Sequence, residues 1–158
     1  MAIHKLKYRL VTDLKEELWQ IINNDWQKRE EEMMVLKKFL NTERPLVVPI
    51  PLYWHKENIR GFNQASLFGE KLSLKFNLLF SDKILVRKKN VPSQTKLTQK
   101  EREENVKGIF SVSPNIHNSL FNILLVDDVW TTGATLKEAT RVLKEGGVKR
   151  VWGLTIAR

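Results

Sequence analysis

The feature that most constrains the fold is an apolar hexapeptide that leads into a polar, glycine-containing segment. Residues Phe121–Val126 have the sequence FNILLV, which predicts a buried strand. Apolar residues between Leu136 and Leu143 then recur at helical spacing, and Gly146-Gly147 ends that helix. A strand followed by a short segment and a helix is the unit from which parallel sheets are built.

The rest of the chain shows the same alternation of strands and helices. Further strands are predicted at 46–50, 84–86, 110–112 and 148–157, and helices at 13–41 (with a break near 27–32), 62–76 and 98–106. This order predicts an α/β fold with a mostly parallel central sheet and helices on both faces. We expect residues 1–158 to form a single domain, with the helical region 1–41 packed on it, and ligands to bind at the carboxyl ends of the strands.

Composition excludes several classes of protein. The formal net charge of +9 suits phosphate, nucleotide or nucleic-acid partners, or serves only solubility. Six Lys or Arg and no acidic residue lie between Lys83 and Lys100. The absence of cysteine excludes disulfides and thiolate zinc sites. No apolar run is long enough for membrane insertion, and no signal-peptide h-region is visible, so a cytoplasmic location is expected.

Polar residues follow the predicted buried strand in a pattern that suits a phosphosugar. Asp127-Asp128 are two adjacent acids, which are costly at a strand end unless something uses them. Carboxylates accept hydrogen bonds, and a vicinal diol offers two donors at matching spacing. Thr131–Thr135 (TTGAT) opens a helix, whose N-terminus favours an anion. Helix capping would explain one of these residues but not the set. The pattern predicts a sugar diol on one side and a phosphate on the other.

The segment Val126–Thr135 resembles the phosphoribosyl pyrophosphate (PRPP) loop of type I phosphoribosyltransferases. The resemblance implies the fold of that family, and it implies that Asp127 and Asp128 hold the ribose hydroxyls as catalytic residues. Trp130 is bulkier than expected there, and it either lies against the ligand or covers the loop. The 5-phosphate would be wrapped by Thr131, Thr132, Gly133, Ala134 and Thr135.

Other segments resemble one branch of these proteins, the ComF family of competence proteins. The similar segments are Ile3–Tyr8, Val48–Leu52, Arg60–Gln64 (RGFNQ), Gln94 and Arg102–Phe110. ComF proteins commonly carry a cysteine-rich zinc-binding segment ahead of this domain, which a chain without cysteine cannot build. We therefore expect either a short member of the family or its transferase domain alone.

The resemblance also assigns residues around the pyrophosphate. Pro51 and Leu52 lie in the turn that contacts pyrophosphate in type I enzymes. Arg60 is a further catalytic candidate that could bind a phosphate bidentately or be a solvated arginine. The basic stretch matches the mobile catalytic loop, which would close over the substrate or simply be solvated. The candidates in and beside it are Lys88, Lys89, Lys96 and Arg102.

Residues that flank these candidates have plainer interpretations. Phe62 suits the core, and Asn63 suits the cap of the helix that follows it. The three histidines, His4, His55 and His117, form no cluster with metal-binding spacing, so we expect them to be non-catalytic.

The resemblance implies an enzyme that binds PRPP, or another ribose 5-phosphate ligand, and transfers the pentosyl group to an acceptor that the sequence does not identify. Mg²⁺ would be held mainly through PRPP and not directly by the protein. The alternative is a non-catalytic module that senses PRPP or a nucleotide and binds single-stranded DNA or a competence helicase. The resemblance implies a role in natural transformation and leaves the oligomeric state open, a homodimer included.

Overall fold

A computed structural model describes residues 30–53, 62–89, 99–114 and 122–157, together with several positions between 16 and 28. In chain order its elements are helix α1 (Glu30–Glu43), strand β1 (Leu46–Pro49), helix α2 (Gln64–Phe76), strand β2 (Leu85–Arg87), helix α3 (Gln99–Val106), strand β3 (Phe110–Val112), strand β4 (Ile123–Val129), helix α4 (Ala134–Glu145) and strand β5 (Val151–Ala157). Each agrees in type with the sequence prediction, and the boundaries differ by a few residues.

The central sheet is parallel, with strand order β1-β4-β5. Leu46 lies opposite Ile123, and Ile123 lies opposite Val151, so the three strands begin level with one another. A short segment at Phe80 adds a parallel bridge to Val47 on the other side of β1. The predicted α/β fold with a parallel central sheet is confirmed, and strand β4 is its middle strand.

Helices cover both faces of this sheet because side chains alternate along its buried strands. Val48 and Leu125 point into a cluster with Leu143 of α4. Val47 and Leu124 point the other way, into a cluster that contains Phe68 of α2. Leu40 of α1 and Ile22 are buried in that second cluster, so the described part of the N-terminal region contributes to the core.

Strands β2 and β3 do not join the central sheet. They form a two-stranded antiparallel sheet of their own, with Leu85 opposite Val112 and Arg87 opposite Phe110. Its inner residues, Leu85 and Phe110, are buried in the cluster that also packs on α4. Arg87 therefore lies in a separate layer from the parallel strands of the central sheet.

The RGFNQ segment has a structural role in the part that the structure describes. Phe62 is buried, as predicted. Asn63 caps α2 by accepting a hydrogen bond from the Ala65 amide (3.1 Å), as predicted, and its side-chain amide also donates to the Ile50 carbonyl (3.0 Å). One buried side chain thus ties the start of α2 to the end of β1.

Candidate functional site

The acid pair lies in strand β4 and not in a loop, which corrects the sequence prediction. Asp127 is opposite Thr155, and the pairing with β5 continues until Val129 faces Ala157. The predicted end of the strand at Val126 is wrong. Charged side chains do not by themselves end a strand, because the hydrogen bonds between strands are made by the backbone. Both aspartates are half-buried at the carboxyl end of the sheet.

The turn that follows β1 lies beside this acid pair. The Ile50 amide donates to the Val126 carbonyl (2.8 Å), and because Pro49 lies opposite Val126, Ile50 is level with Asp127 on the neighbouring strand. Pro51 and Leu52 come next and are half-buried. The carboxyl ends of β1 and β4 therefore place the predicted pyrophosphate turn next to the predicted ribose residues.

Asp127 has an unusual electrostatic environment. Burial, and then repulsion from the Asp128 carboxylate, raise the pKa of Asp127 to about 7. The Asp128 amide, which donates to Asp127 Oδ1 (2.9 Å), and the Arg87 guanidinium act in the opposite direction and lower this pKa. A carboxyl that titrates near neutral pH at a strand end is a common mark of a functional site.

Arg87 interacts electrostatically with Asp127, although no sequence motif pointed to it. It is half-buried at the end of β2, its guanidinium lies 5.8 Å from the centre of the Phe110 ring, and its Nε donates to the Lys89 carbonyl (3.3 Å). Burial lowers the pKa of Arg87, and the charge of Asp127 opposes that change. The sequence showed Arg87 only as one cation of the basic stretch, because its approach to Asp127 depends on how the two sheets pack.

The loop between β4 and α4 has only four residues, Trp130–Gly133. The Trp130 amide donates to the Ala157 carbonyl (2.8 Å), which fixes the start of the loop at the end of β5. Thr132 Oγ1 accepts a hydrogen bond from the Ala134 amide (3.4 Å). Ala134 and Thr135 lie in the first turn of the helix, where backbone amides have no partner inside the helix.

Gly133 makes the turn into the helix. Its φ of 73° is in the left-handed region that favours glycine. A Cβ atom at Gly133 would lie 2.7 Å from Cζ2 of Trp130, so the indole ring covers this residue. Of the two alternatives for Trp130, the structure supports the one in which the ring covers the loop.

A buried carboxylate joins the smaller sheet to α4. Glu138 is 7% exposed and accepts hydrogen bonds from the Gly108 amide (2.7 Å) and from two nitrogens of Arg141 (2.7 and 2.8 Å). Arg141 holds the pKa of Glu138 below its usual value, although burial opposes this. An ion pair between Lys137 and Glu103 (2.8 Å) adds a second link, from α4 to α3. Helix α4, which begins at the candidate phosphate site, is therefore also linked to α3 and to the turn at Gly108 that precedes β3.

The remaining predicted residues are only partly located. Lys88 and Lys89 are exposed just beyond β2, and the Lys88 amide donates to the Ile109 carbonyl (2.7 Å). Arg102 is half-buried on α3. Arg60 and Lys96 lie outside the described residues, as do all three histidines.

The acid pair offers ligands of the kind that a hard cation accepts. In the described part of the chain, no three acidic or histidine side chains come together as an all-protein metal site would require. Two adjacent carboxylates do offer oxygen atoms, which are what Mg²⁺ prefers while it keeps several waters. Asp127 and Asp128 thus fit a role beside a metal–ligand complex.

The chain is similar in sequence to other proteins. A family described as the phosphoribosyl transferase domain matches residues 63–157, a range that includes the acid pair, the loop and the whole of α4. Competence protein F of Haemophilus influenzae is 37% identical over 114 residues, which cover 70% of this chain and 50% of the relative. The chain belongs to the ComF family of phosphoribosyltransferase-domain proteins.

Two other ComF-family relatives extend the similarity. Competence protein ComFC of Bacillus subtilis is 39% identical over 104 residues, covering 65% of this chain and 39% of the relative. DNA utilization protein YhgH of Salmonella typhimurium is 24% identical over 157 residues, covering 98% of this chain and 65% of the relative. The chain thus spans between about two fifths and two thirds of the lengths of these relatives.

None of the helices in the described part of the chain combines the length and the apolar character that crossing a membrane requires.

Proposed function

We propose that this chain binds PRPP together with Mg²⁺ at the carboxyl end of β4 and transfers the phosphoribosyl group to a nitrogen nucleophile. The observation that carries the proposal is the arrangement of Asp127 and Asp128 near the carboxyl end of the middle strand, which a loop of four residues joins to the N-terminus of α4. A ribose 5-phosphate has hydroxyl groups at one end, from which carboxylate oxygens can accept hydrogen bonds, and a phosphate at the other, which a helix N-terminus can bind.

Each part of the site would act on one part of the ligand. The acid pair would accept hydrogen bonds from the ribose hydroxyls, and the loop with the first turn of α4 would donate to the 5-phosphate. C1 of the ribose is next to the hydroxyl-bearing C2, so a group near Asp127 is also near the departing pyrophosphate. Arg87 and the turn at Pro51 and Leu52 would therefore meet that pyrophosphate and stabilise its charge. Mg²⁺, when bound, would supply further positive charge to the pyrophosphate.

The names of the relatives support a role in DNA uptake. Two of them are called competence proteins and a third a DNA utilization protein. We propose that the domain acts on a nucleotide or a nucleic acid during that process, with single-stranded DNA and a helicase as partners. Because the chain covers only part of these relatives, the activity of their other segments is not assigned to it.

Ligand binding is tested by thermal unfolding with PRPP and Mg²⁺. A ligand at about 100 times its Kd stabilises the native state by about 2.7 kcal/mol, which raises the Tm of a chain of this size by roughly 5–10 °C. We expect this rise for the wild-type protein and for Asp82→Asn, an exposed carboxyl outside the site, and its loss for Asp128→Asn. An equal rise in Asp128→Asn would contradict the proposed ribose site.

Transfer is tested separately from binding. Pyrophosphate release is measured from PRPP with a panel of purine, pyrimidine and amine acceptors, and Arg87→Gln is compared with the wild type. We expect release with at least one acceptor, and a lower rate in Arg87→Gln. A protein that shows the thermal shift but releases no pyrophosphate with any acceptor would instead be the non-catalytic, ligand-sensing module.

A further inference from the structure

A second concave surface lies at the opposite end of the central sheet from the acid pair. It is an open depression of about 410 Å³ at the amino end of β5, where the Ile123 amide donates to the Arg150 carbonyl (2.9 Å). Asp127 lies opposite Thr155, which is four residues along β5 from Val151 at the depression. At about 3.3 Å per residue, the depression lies about 13 Å from the candidate ribose site. Its lining residues are Lys144, Lys149, Arg150, Val151 and Trp152.

Three of the five lining side chains are cationic, and two of them are held in place. Nη1 of Arg150 lies 3.2 Å from Glu43 Oε2, and the same Glu43 oxygen accepts from Asn122 (3.0 Å). The Lys144 ammonium donates to the Lys149 carbonyl, which keeps it at the rim. Glu43 thus pairs with Arg150, while Lys144 and Lys149 add two further positive charges beside it, so the local charge favours an anion.

The depression also has a fixed aromatic wall. Trp152 is half-buried, and its ring meets Phe39 edge-on, with centroids 4.9 Å apart and an interplanar angle of 76°. Such packing holds the indole in one orientation. Solvated surface lysines need neither a concave surface nor an indole beside them, whereas cations combined with a stacking platform are what a nucleotide requires.

We propose that this depression binds a nucleotide phosphate, with the phosphate on Lys144, Lys149 and Arg150 and the base against Trp152. The ligand is either a free nucleotide or one unit of a single strand, which share this chemistry. The site uses none of the residues of the acid pair or the loop, so it goes beyond the proposed transfer of a phosphoribosyl group.

The test is fluorescence anisotropy with a labelled oligothymidylate that has no terminal phosphate, so that it lacks the group for which the loop before α4 is suited. If three cations contact phosphates, log K for the wild type falls with log salt with a slope of about −2. Lys149→Glu is expected to weaken binding roughly tenfold and to reduce the slope by about 0.7. Trp152→Leu is expected to weaken binding roughly tenfold with an unchanged slope, because stacking releases no counterions.

Two controls separate this site from general charge and from the proposed transferase site. Lys75→Glu makes the same charge change on an exposed lysine of α2, and we expect it to change the affinity less than about twofold. Asp127→Asn is expected to bind the oligonucleotide like the wild type, even if it has lost PRPP. Titration of the Asp127→Asn protein with 3′-AMP, which has no 5′-phosphate for the loop before α4, then shows whether a free nucleotide occupies the same depression.

The outcomes are distinct. Oligonucleotide or 3′-AMP binding that is weakened by Lys149→Glu, but not by Lys75→Glu, supports the site. Equal weakening by the two lysine variants, or no binding of either probe at low salt, overturns it. Lys149 is exposed, so its variant tests the proposal even if Trp152→Leu does not fold.

Discussion

Replacing Asp127 with Asn is expected to make the protein more stable at neutral pH while it abolishes PRPP binding. Asp127 is poorly solvated at the end of β4 and has the Asp128 carboxylate next to it, which is why its pKa is raised to about 7. Asparagine has the same shape and no charge. The substitution therefore removes the electrostatic cost of the acid pair and, with it, one acceptor for the ribose hydroxyls.

The magnitude follows from the pKa. An aspartate with a pKa of about 7 in the folded protein and 3.8 when unfolded destabilises the ionised fold by on the order of 4 kcal/mol at high pH. Because part of that energy is shared with Asp128, we expect a measured gain of about 2 kcal/mol for Asp127→Asn. Since the folded state holds its proton more tightly, the penalty is absent below pH 4, grows as the pH rises towards 7, and is complete above it.

Urea unfolding of Asp127→Asn and the wild type, measured between pH 4 and pH 8.5, provides the test. The difference in free energy of unfolding should be near zero at pH 4 and reach its plateau just above pH 7. Asp82→Asn is the matched control and should show no such trend, because Asp82 is exposed. A difference that is constant with pH, or a less stable Asp127→Asn at pH 8, would refute the account of a strained acid pair.

Three further substitutions test the supports of the site by the free energy of urea unfolding. Gly133→Ala should cost about 2–4 kcal/mol, because alanine is strained at a φ of 73° and its Cβ would contact Trp130. Adding Trp130→Ala to this variant should recover only the steric part of the loss, and full recovery would refute the backbone cost. Glu138→Ala should cost about 2–3 kcal/mol because the Gly108 amide loses its acceptor. Glu138→Gln keeps an acceptor oxygen and should cost less, and equal losses in the two variants would contradict the hydrogen-bond account. Asn63→Ala should cost about 2–3 kcal/mol by removing a cap and a bond to β1, and a change below 0.5 kcal/mol would contradict it.

The sequence predicted the central sheet because its elements rest on local patterns. Apolar runs and helical spacing predicted β1, β4, α2 and α4, and the acid pair with Gly133 predicted the candidate phosphosugar site. These signals lie within about ten residues of one another, so no long-range packing was needed to see them.

What the sequence did not predict depends on contacts between distant residues. Strand β2 was expected, but its pairing with β3 and the position of Arg87 near Asp127 follow from how the smaller sheet packs. The role of Glu138 was invisible because its partner, the Gly108 amide, is a backbone group 30 residues away. The extension of β4 to Val129 was missed because acidic residues usually disfavour strands, and the pairing with β5 overrides that preference.

The continuation of β4 through Asp127 and Asp128 affects the entropy of ligand capture. Ordering the backbone of a flexible residue costs about 1–2 kcal/mol. Because the pairing with β5 extends to Ala157, both aspartates are already ordered before a sugar arrives. Of the described residues between β4 and α4, the short segment Trp130–Gly133 is left to adjust around a phosphate. Preorganisation of the acid pair therefore leaves more of the binding energy for the ligand itself.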